Sequence, residues 1–218
     1  SPVGKDLNSS WEAIKSGQSG ISSIEHFDTT GFTTTIAGLV PDYESIMDSK
    51  DRRRMDKFID YGVCAAHQAL ADSGLIITDK NAHRVGVAIT SGFGGLSVIE
   101  KNIVAFNKNG PRKVSPFYIP GSIINMCSGY VSQVLNCQGP NYAVVSACAS
   151  SAHSIGYAAR SIAYGDCDAM LAGGSEAAST PSGIAGFSNL KALSSRNDSP
   201  AEASRPWDTG RDGFVMGN

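Results

Sequence analysis

The stretch YAVVSACASSAHSI, Tyr142–Ile155, joins a short β-branched apolar run to a segment of small residues. The first part predicts a strand over Tyr142–Ser146 and the second a helix over Ala149–Tyr164, with Cys148 at the turn between them. A cysteine placed there is chemically distinctive. Backbone N–H groups and the positive end of a helix favour negative charge, and the thiolate is the nucleophilic form of the side chain. Ala147, Ala149, Ser150 and Ser151 leave room for a substrate to approach. An acyl group accepted by Cys148 would divide a difficult transfer into two easier ones. The same residues also suit a buried structural cysteine packing as a small hydrophobe, and the local sequence leaves both readings open. His153 lies five residues after Cys148, hence about 140° around a helix and badly placed to be its base.

Outward from this segment, strands and helices alternate. Arg84–Thr90 (RVGVAIT) predicts a buried strand, followed by Ser91-Gly92-Phe93-Gly94-Gly95 and a helix over Leu96–Asn107. In Asp51–Ser73 the residues Met55, Phe58, Ile59, Val63, Ala66 and Leu70 recur at helical spacing, with Gly74 closing the helix. Further helices are expected over Ser9–Gly17, capped by Ser9 or Ser10, and over Ser122–Leu135. Ala169–Gly173 predicts a second buried strand, and Ser194–Trp207 a loop. The alternation argues for an α/β layered fold with a largely parallel sheet, and the length suits one sizeable domain.

Composition narrows the function. The hydrophobic fraction is 41%, the charged fraction 17% and the net charge −2, so global basicity for nucleic acid or a membrane surface is absent. No apolar run approaches the roughly 20 residues of a transmembrane helix. Five cysteines (64, 127, 137, 148 and 167) include no CxxC pair, which gives a metal or iron–sulfur framework little support. They read as reduced thiols of a cytoplasmic protein, with Cys64, Cys127, Cys137 and Cys167 as small apolar fillers. The Ser91–Gly95 loop has neither GxGxxG nor GxxxxGK[ST] spacing, and no G-x-S-x-G elbow of a serine hydrolase occurs.

Gly139–Ile155 fits the active-site signature of the β-ketoacyl synthases: a glycine, an apolar residue at set spacing, Ala147-Cys148, small residues, then Ile155. The resemblance extends over Ser1–Gly217, through SPVG, WEAIKSGQSGIS, RRRMDKFIDYG, GPRKVSPF, YGDCDAMLAGGSEAASTPSGIAGF and LSSRNDSPAEASRPWDTGRDGFVMG. It implies a thiolase-like fold, of which residues 1–218 would be the N-terminal half: a five-stranded mixed sheet covered by helices, its first and last strands lying outside these residues. The chain opens without methionine and closes in a Gly-rich segment, which fits a fragment truncated at both ends. Such a fragment is expected to be poorly stable and unable to condense by itself.

The resemblance also implies a reaction. Cys148 would be loaded by acyl-ACP, and the decarboxylated malonyl group of malonyl-ACP would attack the acyl-cysteine, giving a 3-ketoacyl-ACP two carbons longer. The histidines, lysine and Gly-Phe-Gly-Gly loop that complete the reaction belong to the other half. Neither a metal nor a cofactor is implied beyond the phosphopantetheine of the carrier, and the intact enzyme would be a homodimer. Phe93 would line the acyl pocket, where many relatives carry an aliphatic residue, unless it is simply core packing. Lys50, Arg53, Arg54, Arg112, Lys113 and Lys191 match basic positions that dock the acidic carrier protein, although a solvated face would explain a charge run equally simply. The cluster at 50–54 stands at the start of the expected helix, where the dipole disfavours positive charge. A polyketide ketosynthase, a thiolase acting on coenzyme A esters and a non-catalytic ketosynthase partner subunit are the rival readings.

Overall fold

A computed structural model describes all 218 residues. Its helices are α1 (Leu7–Lys15), α2 (Ser49–Arg52), α3 (Lys57–Ser73), α4 (Leu96–Asn109), α5 (Tyr118–Ser122), α6 (Met126–Leu135), α7 (Ser150–Ala163), α8 (Pro181–Asn189) and α9 (Pro200–Ala203). Its strands are β1 (Ile21–Ser23), β2 (Ile36–Gly38), β3 (Val85–Thr90) and β4 (Ala169–Gly174). Two compact units result, one formed by Ser45–Glu176 and the other by Ser1–Glu44 with Ala177–Asn218.

The unit Ser45–Glu176 is built around β3, whose six residues are all buried. It pairs in parallel with β4, from Val85 opposite Ala169 to Thr90 opposite Gly174. Helices α6 and α7 pack on β3, and α7 also covers β4. At the other edge of β3 the expected strand over Tyr142–Ser146 does not form. The ladder begins there, with Gly139 N–H donating to Val85 O at 2.9 Å, Val87 N–H to Pro140 O at 2.8 Å and Tyr142 N–H to Val87 O at 3.2 Å. It then stops because a side chain takes over the pairing. Ile89 N–H donates to Ser128 Oγ at 2.8 Å, and the Ser128 hydroxyl donates to Tyr142 O at 3.0 Å. A serine from α6 thus stands between two backbones that would otherwise bond directly, and Ala143–Val145 run on outside the ladder.

The helix expected over Asp51–Ser73 is two helices. Asp56 takes an extended conformation (φ −76°, ψ 157°) and restarts the chain as the N-cap of α3. Phe58, Ile59, Val63 and Ala66 then form the buried stripe. Asp56 itself is 2% exposed. One of its oxygens accepts from Phe58 N–H at 3.2 Å, and the other accepts from Ser97 Oγ–H at 2.6 Å and Val98 N–H at 3.2 Å. A single carboxylate therefore caps the first turns of both α3 and α4, and α4 has no other side-chain cap. The helix expected over Ser122–Leu135 begins only at Met126, as α6, because α5 ends at Ser122 and Ile123 is extended (φ −73°, ψ 142°); Asn136 in the left-handed region (φ 56°) closes it.

In the unit of the two chain ends, β1 and β2 form an antiparallel ribbon, and Gly38 N–H bonds Met216 O while Asn218 N–H bonds Gly38 O, adding a third extended run. Ile24, Ala37, Ala178, Ile184, Leu193 and Met216 make its core, with Phe27, Phe32, Leu39 and Phe187 against it. The cap of α1 is Asp6 rather than Ser9 or Ser10. Ser9 instead completes a capping box, donating its N–H to Asp6 Oδ1 at 2.7 Å and accepting from Asp6 N–H at 3.2 Å. Helix α8, with Thr180 as cap and Pro181 at its first position, was not expected, and α9 interrupts the predicted loop.

Candidate active site

Between Ser146 and α7 the chain turns sharply at Cys148. Ala147 sits in the left-handed region (φ 52°), a conformation that costs an ordinary residue on the order of 1 kcal/mol and persists only where neighbours enforce it. Here the enforcing residue is Ser150, the first of α7. It is 4% exposed, its Oγ accepts from Ser146 N–H at 2.9 Å, and its hydroxyl donates to Ala147 O at 2.6 Å. Ala149, at the cap position of α7, supplies no side-chain hydrogen bond. Close approach of α7 to the sheet depends on Gly174, since a Cβ there would lie 2.0 Å from Ser151 Oγ.

Cys148 is exposed, while Cys64, Cys127, Cys137 and Cys167 are buried. Burial pushes the thiols of all four upward, that of Cys127 to about 12. They are held as neutral apolar fillers, as their sequence settings suggested, and Cys148 does not pack as one.

The loop Ser91–Gly95 emerges from the C-terminal end of β3, and Glu176 follows the C-terminal end of β4. The Glu176 carboxylate accepts from the Ser91 hydroxyl at 2.7 Å, Gly92 N–H at 2.7 Å and Phe93 N–H at 3.3 Å. Ser91 Oγ in turn accepts from Gly94 N–H at 2.7 Å. At the far end Gly95 N–H donates to Ser122 O at 2.8 Å. A Cβ on Gly92 would fall 2.9 Å from Glu176 Oε2 and 3.8 Å from Ala147 O. The loop therefore lies alongside the turn that carries Cys148. Ser91, Gly94 and Gly95 are buried, whereas Phe93 is 44% exposed, so it is not core packing in this chain.

Of the basic positions, Lys50, Arg53, Arg112, Lys113 and Lys191 are exposed and Arg54 is half-buried. The conflict with the helix dipole disappears, because the cluster does not begin a long helix. Lys50 and Arg52 occupy the single turn of α2, capped by Asp48, and Arg53 is its C-cap, the end at which positive charge is favoured. Arg52 pairs with the buried Asp60 at 3.1 Å. Arg54 lies over the Phe117 ring at 4.2 Å and pairs weakly with Asp51 at 3.8 Å. This contact joins the 50–54 cluster to the segment just after Arg112 and Lys113, which form a 3₁₀ turn. Lys191 belongs to the unit of the chain ends.

His153 is exposed, and its Nδ1 bonds Ser146 Oγ at 2.5 Å, so it braces the turn that carries Cys148 through Ser146. His26 Nε2 bonds Ser179 O at 2.7 Å, and His67 and His83 are exposed. No group of three or more His, Cys, Asp or Glu side chains is arranged to hold a metal ion, and no helix is long and apolar enough to cross a membrane.

The family model for the N-terminal domain of β-ketoacyl synthases matches residues 1–218. The chain belongs to this family. Among curated β-ketoacyl synthase relatives, the 3-oxoacyl-[acyl-carrier-protein] synthase 2 of Vibrio harveyi is 58% identical over 220 residues, covering all of this chain and 53% of that protein. The protein of the same name from Coxiella burnetii is 52% identical with the same coverage. The chain thus spans about half the length of the curated relatives it matches. Among solved structures, a β-ketoacyl synthase from Burkholderia phymatum superposes with a TM-score of 0.85 at 31% identity, over 99% of this chain and 54% of the other. A type II polyketide ketosynthase, solved in complex with its acyl-carrier protein and bound to a hexaketide, gives 0.82 at 28% identity, over 100% and 53%. The fold is accordingly the ketosynthase, thiolase-like α/β fold. Within this half of a ketoacyl synthase, sequence reasoning singled out Cys148, Phe93 and the basic positions as candidates, and gave no sign of the bonds made by Glu176, Asp56 and the Ser146–His153 pair. Glu176 stands in the stretch YGDCDAMLAGGSEAAS, which could have drawn attention to it.

Proposed function

We propose that this chain is the nucleophile-bearing half of a 3-oxoacyl-ACP synthase that elongates fatty acyl chains. The Cys148 thiolate attacks the thioester carbonyl of acyl-ACP, the carrier thiol leaves with a proton, and the acyl group remains on Sγ. Malonyl-ACP then loses carbon dioxide, its carbanion attacks the acyl carbonyl, and the C–S bond to Cys148 breaks to release 3-oxoacyl-ACP two carbons longer. The decarboxylating histidines and lysine belong to the other half, and this half alone is not expected to condense. The observation that carries the reading is the exposed thiol at a tied, left-handed turn leading into α7, in a chain 58% identical to a protein named as such a synthase.

Acidic acyl carrier protein is the proposed partner, docked by Lys50, Arg53, Arg54, Arg112, Lys113 and Lys191. The phosphopantetheine arm it carries is the only prosthetic group the reaction calls for. A cytoplasmic homodimer is the proposed setting. Polyketide extension is the second reading, favoured by the 28% identical ketosynthase but set against relatives of much higher identity. Mass spectrometry after incubating the intact enzyme with acyl-ACP tests the proposal. A mass increase on the Cys148 peptide, absent in Cys148→Ala, is expected; acylation at another cysteine overturns the mechanism.

A further inference from the structure

The loop after β3 is held from two directions. Glu176 gathers the Ser91 hydroxyl and the N–H groups of Gly92 and Phe93 on one side. On the other, Gly95 is tied to Ser122, and Asp56 caps the start of α4 just beyond it. Gly94 is in the left-handed region (φ 72°), and a Cβ there would lie 2.4 Å from Ser122 O, so the backbone cannot shift toward α5. Phe93 is the single large side chain of this loop and the residue through which it reaches solvent. Its place is fixed by the backbone on either side of it: the Glu176 carboxylate holds Gly92 N–H and its own N–H, and the Ser122 carbonyl holds Gly95 N–H.

We infer that Glu176 is a positioning residue for acyl-chain selection: it holds the Ser91–Gly94 backbone so that Phe93 stands at a set depth beside the acyl group on Cys148. The inference rests on the proposed function and extends it to a residue that touches neither substrate nor nucleophile. In Glu176→Gln an amide NH2 replaces one carboxylate oxygen and faces the loop's own donors. The loop then loses a fixed acceptor, and Phe93 can retreat from a long acyl chain. A merely structural role would change all substrates alike.

The test is kcat/KM of the intact enzyme for acyl-ACP substrates from short to long. Glu176→Gln is expected to raise the ratio of long-chain to short-chain kcat/KM by about fivefold, the effect of one net hydrogen bond lost. In the same background Phe93→Ala should shift that ratio less than it does with Glu176 present, because the two act on one loop. Should Glu176→Gln fail to fold, Ser91→Ala removes one of the carboxylate's donors and should shift the ratio in the same direction. Equal loss at every chain length, strict additivity with Phe93→Ala, or an unchanged profile in Ser91→Ala overturns the inference. Failure of any acyl-ACP to load Cys148 in the unaltered enzyme overturns the proposed function, and the inference with it.

Discussion

Replacing Asp56 should loosen two helices at once. Its carboxylate is buried and accepts three hydrogen bonds, one in the first turn of α3 and two in the first turn of α4. A single N-cap is typically worth about 1 kcal/mol, and a hydrogen bond to a charged group about 1.5–3 kcal/mol. These are not additive for one side chain, so Asp56→Ala is expected to cost about 3 kcal/mol. Asp56→Asn retains one oxygen and should cost roughly half of that, on the same cap energies. Amide hydrogen exchange on the intact enzyme resolves the two helices separately. In Asp56→Ala the amides of Phe58 and Val98 should both exchange about a hundredfold faster, the factor that corresponds to ~3 kcal/mol of local opening. Ser97→Ala should be partly redundant with Asp56→Ala, showing a coupling of about 1 kcal/mol. Acceleration at Phe58 with Val98 unchanged would mean that the carboxylate serves one helix only, and the reasoning would be refuted.

Iodoacetamide should label Cys148 rapidly and Cys127 last, because Cys127 is fully buried with its thiol pushed to about 12; equal labelling would contradict the burial. Reversing charge with Arg53→Glu and Arg54→Glu should raise KM for acyl-ACP. Only the Arg54 change should also lower stability, by about 0.5–1 kcal/mol for the lost contact with Phe117, as read by urea denaturation. Gly62→Ala should destabilise by about 1–3 kcal/mol, since its Cβ would fall 2.2 Å from Cys127 Sγ, and pairing it with Cys127→Ala should recover most of the loss. Tyr130 bonds Asp51 at 2.5 Å and its hydroxyl is pushed up to about 12, by desolvation first and then by Asp51. Its contribution is therefore fully present below pH 10 and lost as pH rises from about 10 to about 12. Tyr130→Phe should flatten stability over that window in chemical denaturation.

Elements with a strong period were legible from the residues themselves. The run RVGVAIT became β3 with one residue trimmed, and the apolar spacing of Phe58, Ile59, Val63 and Ala66 became the buried stripe of α3. The turn at Cys148 was legible because a β-branched run ends where small residues begin. What escaped were polar side chains acting at a distance along the chain. Nothing near Tyr142 announces that Ser128 will take its carbonyl, and nothing near Ser91 announces a carboxylate 85 residues away. Asp56 and Asp6 were hidden for a related reason: a cap is chosen by backbone conformation, and neighbouring Asp and Ser residues compete for the role on equal terms. The three-residue strands β1 and β2 are too short for any periodicity to declare them. The placement of Phe93 depended on the resemblance, and only the fold brings Glu176 beside it.

The unit Ser45–Glu176 is continuous in the chain, while the other unit is assembled from Ser1–Glu44 and Ala177–Asn218. On a ribosome moving at about 5–20 residues per second, the unit that carries Cys148 can close as soon as Glu176 has emerged. The first 44 residues must wait several seconds longer for Ala178, Ile184, Leu193 and Met216, which supply most of their core. Meanwhile β2 has its ribbon partner β1, but its other edge stays open until Met216–Asn218 arrives. The vulnerable interval in the making of these two units thus belongs to residues 1–44, although the turn that carries Cys148 lies in residues made after them.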